Sequence, residues 1–351
     1  MSIYGDIRIA INDRPGSFSD RWQAFCADRN LSFKLFDFHA SEIVQQVADY
    51  DIALLHTNLA NAADCMSARH VIKALESMGL VVFPNSSTYW TYDDKVAQKY
   101  LLEAIDAPLI PSYVFFDEIE AHKWVDSTVF PKVFKLRRGA GATNVRLIKS
   151  RDAAHRIVTK AFSRGFRPMR GHLGDRISKL KSSKTRKHFD FIGKLRRFPR
   201  TFAHLRRADR LLGHDIGYVY FQDFLPNNDC DTRITIIGDH AFGFKRMVRG
   251  GDFRASGSGL LDYSPAEIDH RCLRIAFELT DRLDAQCLAF DFVNDQQGEP
   301  RVIEMSYAFV PEAVYNANGW WDRNLTWHEG GIWPQDVILQ NTLDQLVSNR
   351  E

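Results

Sequence analysis

The first ninety residues alternate short apolar runs with amphipathic stretches, and this narrows the fold more than any other feature of the chain. Residues 7–11, 33–36, 51–55 and 80–83 read as strands. Residues 19–29, with Trp22 and Phe25 on one face, and a stretch through Ile72 and Leu75 read as helices. Strands separated by helices and joined by short loops pair in parallel through right-handed crossovers, so an open α/β sheet is expected. In such sheets ligands lie beyond the carboxyl ends of the strands. The loops to inspect are therefore 12–19, 56–58 and 85–86.

The rest of the chain changes pattern. A helix is predicted over 91–105, with Thr91 as its N-cap and Pro108 and Pro111 beyond its end. Residues 112–116, 132–136 and 144–148 read as strands, the last two joined by a small-residue turn at 138–143. Strands return at 217–225, 232–237 and 241–248. A helix over 265–283, two strands at 289–293 and 302–305 with a turn between them, and a final helix over 335–348 complete the pattern. The expected divisions are 1–90, 91–224 and 225–351.

Charge is unevenly placed. Residues 163–210 hold 16 Lys and Arg against three Asp, a surplus of 13, whereas the whole chain is formally +2. The remainder therefore carries −11. A basic, helix-patterned insertion at about 163–214 with its own anionic partner is expected. No apolar run reaches the length of a membrane span, and the N-terminus lacks a signal-peptide layout. Five scattered cysteines fit reduced thiols. A cytoplasmic chain is expected, with a peripheral place at the inner membrane face open to it through the basic segment.

Chemistry concentrates in the second half. Gln222, Asp223, Phe224 and Leu225 end a strand. Asp231 and Arg233 follow, then Lys245 and Arg246, then a loop reading Gly251-Asp252-Phe253-Arg254-Ala255-Ser256-Gly257-Ser258-Gly259. Lys95 and Lys135 lie upstream, and Asp291 and Glu304 downstream. Cations suit phosphate, carboxylates suit magnesium, and no G-x-x-x-x-G-K-[ST] motif occurs. Lys132 and Lys135 differ by an odd number, so strand alternation puts only one of them toward a nucleotide. By itself, that segment is better explained as a surface hairpin with solvated lysines.

Taken together, residues 90–150 and 215–308 resemble the ATP-grasp superfamily, in the branch of glutathione synthetase and the ribosomal-protein glutamate ligase RimK. The Gly-Asp-Phe-Arg run at 251–254 is the most specific match. The resemblance implies an ATP-grasp fold: an N-terminal open α/β domain plus two α+β subdomains clasping ATP. It implies phosphate contacts from Lys95, Lys135, Gly139, Gly141, Lys245, Arg246 and Ser256, and adenine contacts from Gln222, Asp223, Phe224 and Leu225. It implies catalytic roles for Arg233 and Arg254, and two Mg2+ held by Asp291, Glu304 and Ser306. Ser306 stands where the family has Asn, and Ala255-Ser256 where related chains have Ser-Asn.

The implied reaction is ATP-dependent joining of a carboxylate to an amine through an acyl phosphate. A kinase acting on a hydroxyl, and a non-catalytic ATP-binding protein tethered by its basic insertion, are the alternatives. Arg14, Ser17, His56 and Asn58 are candidate substrate residues, although ordinary helix capping accounts for Ser17 equally well. A small or glycan-linked carboxylate and an amine are the expected substrates. The tryptophan-rich end at 320–333 resembles ATP-grasp proteins of bacterial surface-polysaccharide synthesis. Expected partners of 163–210 are an anionic membrane surface, an anionic glycan or nucleic acid, and a homo-oligomer is compatible with the sequence.

Overall fold

The computed structural model describes residues 4, 6–59, 61–139, 144–167 and 210–351. Its first sheet is parallel, in the order β2-β1-β3-β4, from β1 (Ile9–Asn12), β2 (Phe33–Phe36), β3 (Ile52–Leu54) and β4 (Val81–Phe83). Ile9 pairs with both Phe33 and Ile52, which places β1 at the centre. Every residue of β1 is buried, as expected when helices cover both faces of a parallel sheet. Ser17 caps the Phe18–Asp28 helix and Asn61 caps the Ala62–Ser77 helix.

A second sheet is antiparallel, in the order β5-β8-β6-β7, from β5 (Ser112–Phe115), β6 (Lys132–Lys135), β7 (Arg146–Ile148) and β8 (Val219–Asp223). The Glu118–Ser127 and Arg151–Ser163 helices cover one face. There Val125, Phe134, Leu136, Val158 and Phe221 form a separate apolar core. The opposite face carries Val133, Lys135 and Gln222 toward a cleft.

The third sheet has seven strands: β9 (Cys230–Ile237), β10 (His240–Met247), β11 (Leu261–Asp262), β12 (Cys287–Asn294), β13 (Pro300–Ser306), β14 (Gly319–Trp321) and β15 (Trp327–Glu329). Its order is β13-β12-β9-β10-β14-β15, with β11 beside β10. The His270–Arg282 helix buries Leu273, Ala276 and Phe277 in its core. This core is continuous with that of the first sheet, so two of the three sheets share one interior. Trp22 Nε1 donates to Gln335 O at 3.0 Å, fastening the first helix to the Pro334–Arg350 helix. The connection at 108–110 runs beside β13, with Ile110 N donating to Val302 O at 3.1 Å.

Several expected boundaries shift. The helix predicted from Thr91 begins at Lys95 and is capped by Asp94, whose side chain accepts from Ala97 N at 3.0 Å. Asp93 has φ +54, which is incompatible with helix and ends any earlier start. The helix predicted from Pro265 is a short 3-10 turn, Pro265–Glu267, followed by a new start capped by Asp269. The Glu118–Ser127 helix and the β14–β15 hairpin were not foreseen. Among the described residues no helix is long and apolar enough to cross a membrane, and all five cysteines are free. Most of the basic insertion, including Arg196, Arg197, Arg200, Arg206 and Arg207, lies outside the described residues.

Candidate active site

An open cleft lies between the second and third sheets. Its apolar walls include Ile110, Val133, Val145, Val248, Val293 and Ile303. Its charged end is assembled by strand register. Asp291 on β12 pairs directly with Glu304 on β13 and with Arg233 on β9. Asp231 on β9 pairs with Arg246 on β10. Directly paired residues share a sheet face, so Glu304, Asp291 and Arg233 lie in one cross-strand row and the Asp231–Arg246 pair lies beside it on the same face, two residues along β9.

The row is heavily bonded. Arg233 donates Nε and Nη2 to the two carboxylate oxygens of Asp291 at 2.7 and 2.9 Å. Arg246 grips Asp231 at 2.6 and 2.7 Å and reaches Asp291 at 2.6 Å. Burial alone would raise the Asp291 pKa, but the two guanidinium groups outweigh it and hold the carboxyl at about 2. Asp231, for which burial and the nearby Asp291 prevail over Arg246, rises to about 6. Burial opposes ionisation of Glu304 as well, yet Lys95 and Lys135 keep its pKa below the usual range.

Both upstream lysines reach this place. Lys95 Nζ lies 3.5 Å from Glu304 and donates to Gly139 O at 2.7 Å. Gly139 N in turn donates to Asp93 at 2.6 Å. The start of one helix thus holds both polar groups of the Gly139 peptide, and Gly139 has φ +128, which favours glycine. Asp93 was missed in the sequence, and burial raises its pKa to about 6 despite Lys95. Lys135 lines the cleft, and burial lowers its pKa to about 8. Lys132 faces the other way, pairing with Asp223 and lying 5.1 Å from the Tyr113 ring centre. Gly141 lies outside the described residues.

Other expected contacts are placed differently. Lys245 is a correction: it lies on the β10 face opposite Arg246 and pairs with Glu267 at 3.1 Å, outside the cleft. Adjacent strand residues cannot both face one ligand. Gln222 spends its amide on Ser112 Oγ at 3.1 Å and Ile303 O at 3.4 Å. Asp223 N donates to Pro111 O, so Phe224 and Leu225 carry the cleft edge past the strand end. Arg254 pairs with Asp252 within its own loop at 3.0 Å, and Ser256 lines the cleft. Phe253 meets Phe224 edge-on at 6.0 Å, bringing that loop against the segment just past β8.

Ser306 Oγ donates to Ala308 O at 2.9 Å and accepts from Ala308 N at 3.2 Å in a local turn. Among the described residues no group of three or more His, Cys, Asp or Glu forms a metal cluster. Two hard carboxylates on neighbouring strands nevertheless fit Mg2+, which commonly takes one or two carboxylates and completes its shell with substrate phosphate and water.

The N-terminal loops meet this end of the molecule. Thr57 Oγ1 lies 2.8 Å from the Tyr307 hydroxyl, and Phe18 lies 5.2 Å from Phe309. Arg14 is paired with the buried Asp64, a partner not foreseen, and donates to His56 O at 3.2 Å. Asp64 also accepts from Asn58 N at 2.7 Å. Ser17 Oγ donates to Arg14 O and accepts from Ser19 N as a helix cap. The His56 ring stacks on Phe18 at 3.9 Å, and burial followed by Arg14 lowers its pKa to about 3.

Comparison with solved structures gives this architecture its class. A RimK-domain ATP-grasp protein from Sphaerobacter thermophilus matches at TM-score 0.55 and 17% identity, over 97% of this chain and 99% of that one. D-alanine–D-alanine ligase from Bacillus anthracis matches at 0.58 and 13%, over 98% and 99%. Biotin carboxylase from Campylobacter jejuni matches at 0.58 and 11%, over 96% and 70%. The chain has the ATP-grasp fold. No protein-family model and no curated protein matches the sequence.

Proposed function

We propose that this protein is an ATP- and Mg2+-dependent ligase that joins a carboxylate to an amine. The observation that carries this reading is the cleft end, where Asp291 and Glu304 sit side by side with Lys95 and Lys135. The expected adenine place is the apolar portion beside Phe224 and Leu225. Lys95 and Lys135 would hold phosphate oxygens. Asp291 and Glu304 would hold Mg2+, which when bound neutralises charge on the β- and γ-phosphates.

In the reaction, a carboxylate oxygen of the acceptor attacks the γ-phosphorus and ADP leaves. The amine nitrogen then attacks the acyl carbon, phosphate departs and the amine loses a proton. Arg254, on a glycine-rich loop whose Phe253 meets Phe224, would orient the transferring group, and the loop would help exclude water. Solved structures of this fold include a D-alanine–D-alanine ligase with ATP, which supports ligation over hydroxyl phosphorylation.

We assign the acceptor to the loops after β1 and β3, because they contact residues 307–309, just beyond Glu304. A small or glycan-linked carboxylate is the proposed substrate, and surface-polysaccharide modification the proposed setting. The tryptophans give that setting no direct support. Trp320 stacks on His328 at 4.2 Å and Trp333 on Tyr315 at 4.2 Å, which is packing.

The test is a screen of carboxylate and amine pools with ATP and Mg2+, with hydroxylamine as a trap. A hydroxamate and amine-dependent phosphate release are expected. A phosphate ester without amide would establish the kinase alternative, and absence of turnover across the pools would favour a binding protein.

A further inference from the structure

A second concavity lies across β6 from the nucleotide cleft. Lys135 faces the cleft, so strand alternation turns Phe134 and Leu136 the other way, where they floor an open hollow. Arg146, Lys160, Arg164, Arg167 and His214 also line it, and no carboxylate residue is among its described lining residues. These groups come from separate elements. Arg146 begins β7, Lys160 lies in the last turn of the Arg151–Ser163 helix, and Arg164 is that helix's C-cap. Arg167 and His214 flank the neck of the basic insertion, where Phe166 and Asp215 exchange two backbone hydrogen bonds of 2.9 Å.

The neck is built to hold its shape. Gly165 has φ +64, and a Cβ there would stand 2.7 Å from Asp215 O. His214 Nδ1 donates to Arg164 O at 2.9 Å, which leaves Nε2 to accept from Arg167 Nε at 2.9 Å. Lys160 Nζ sits 4.3 Å from the Phe166 ring centre. Burial, then Arg146 and Arg164, lower the Lys160 pKa.

Beside the nucleotide cleft Lys95, Arg233, Arg246 and Arg254 each have a carboxylate partner, and Lys135 alone of these cations has no ion pair among the described residues. None of Arg146, Lys160, Arg164 and Arg167 has one among the described residues. Compensation of the helix dipole accounts for Lys160 and Arg164, but not for Arg146 or Arg167. A lone carboxylate ligand would leave most of this charge unbalanced. Three guanidinium groups suit tetrahedral oxyanions, which they can bind through paired N–H groups. The Phe134, Leu136 and Phe166 surfaces would take an apolar body joined to them.

We propose that this hollow is a second anion site, separate from the ATP cleft, for a ligand bearing two or more phosphate groups. It does not depend on the ligase assignment. The test uses the full chain with the cleft saturated by a non-hydrolysable ATP analogue and free Mg2+ held constant. Inorganic pyrophosphate is titrated by calorimetry, and phosphatidylcholine vesicles with and without a phosphoinositide are titrated in parallel.

Saturable, salt-sensitive pyrophosphate binding is expected, weakened roughly tenfold or more by Arg146→Gln with Lys160→Gln. Arg164→Gln with Arg167→Gln should weaken it comparably, and both variants should keep the thermal shift given by the ATP analogue. Phosphoinositide-dependent vesicle binding with the same sensitivity would identify a lipid headgroup as the source. Binding of pyrophosphate alone would identify a soluble one. Absence of saturable binding, or unchanged affinity in the Arg146/Lys160 variant, would overturn the proposal; the latter would assign binding to residues 168–209.

Discussion

At the scale of single residues, the cleft is governed by who neutralises whom. Arg246 is buried between Asp231 and Asp291, so Arg246→Met should strand Asp231 and leave Asp291 with Arg233 alone. Denaturant unfolding should show a loss of about 3–5 kcal/mol, and a loss under about 1 kcal/mol would mean those charges are solvated. Glu304→Gln and Lys135→Ala should each remove most of the thermal shift produced by ATP with Mg2+; a retained shift in both would misplace the site. His56 gives a pH signature. Its folded pKa is depressed to about 3, so the unfolded chain gains the proton first as pH falls below 6.5, and stability is lost through that window. Between pH 6.5 and 5, wild type should lose about 1.5–2 kcal/mol more than His56→Gln. The choice between Lys132 and Lys135 was narrowed by strand alternation, and the fold decides for Lys135. The Arg233–Asp291 pair was not legible, because it joins residues 58 apart in sequence through a register that local pattern does not encode. Lys245 was misread for the same reason, since adjacent basic residues give no sign of which faces inward.

Among elements, the helix start at 93–95 matters most because it holds the small-residue hairpin. Asp93→Ala removes the acceptor for Gly139 N while leaving Lys95 in place. The KM for ATP should rise about fivefold, which corresponds to about 1 kcal/mol, with a far smaller change in global stability. An unchanged KM would show that the clamp has no part in nucleotide binding. The sequence pattern placed this helix but started it at Thr91, because threonine is a good cap and a positive φ at Asp93 leaves no compositional trace. The parallel strands of the first sheet were legible from their short, largely apolar runs. The β14–β15 hairpin was not, since its tryptophans suggest several forms of packing and only the fold shows Trp321 against Trp327 at 4.5 Å.

For the whole molecule, the division of cores is the main consequence of the fold. The first and third sheets share one interior, while the second sheet has its own and meets them across the cleft. Strand–helix alternation conveyed the α/β character, but not the docking of the last helix on the first, which brings together residues more than 300 positions apart. The charge surplus of the insertion was legible by counting. Its continuation into a hollow shared with Arg146 and Lys160 was not, because those residues lie outside the basic run. The central claim is that this architecture activates a carboxylate as an acyl phosphate. The most direct measurement supplies the acceptor carboxylate labelled with oxygen-18 and analyses the phosphate released during amine-dependent turnover by mass spectrometry. The account predicts one labelled oxygen in each phosphate released; amine-dependent turnover yielding unlabelled phosphate, or transfer of the phosphoryl group to a hydroxyl, would contradict it.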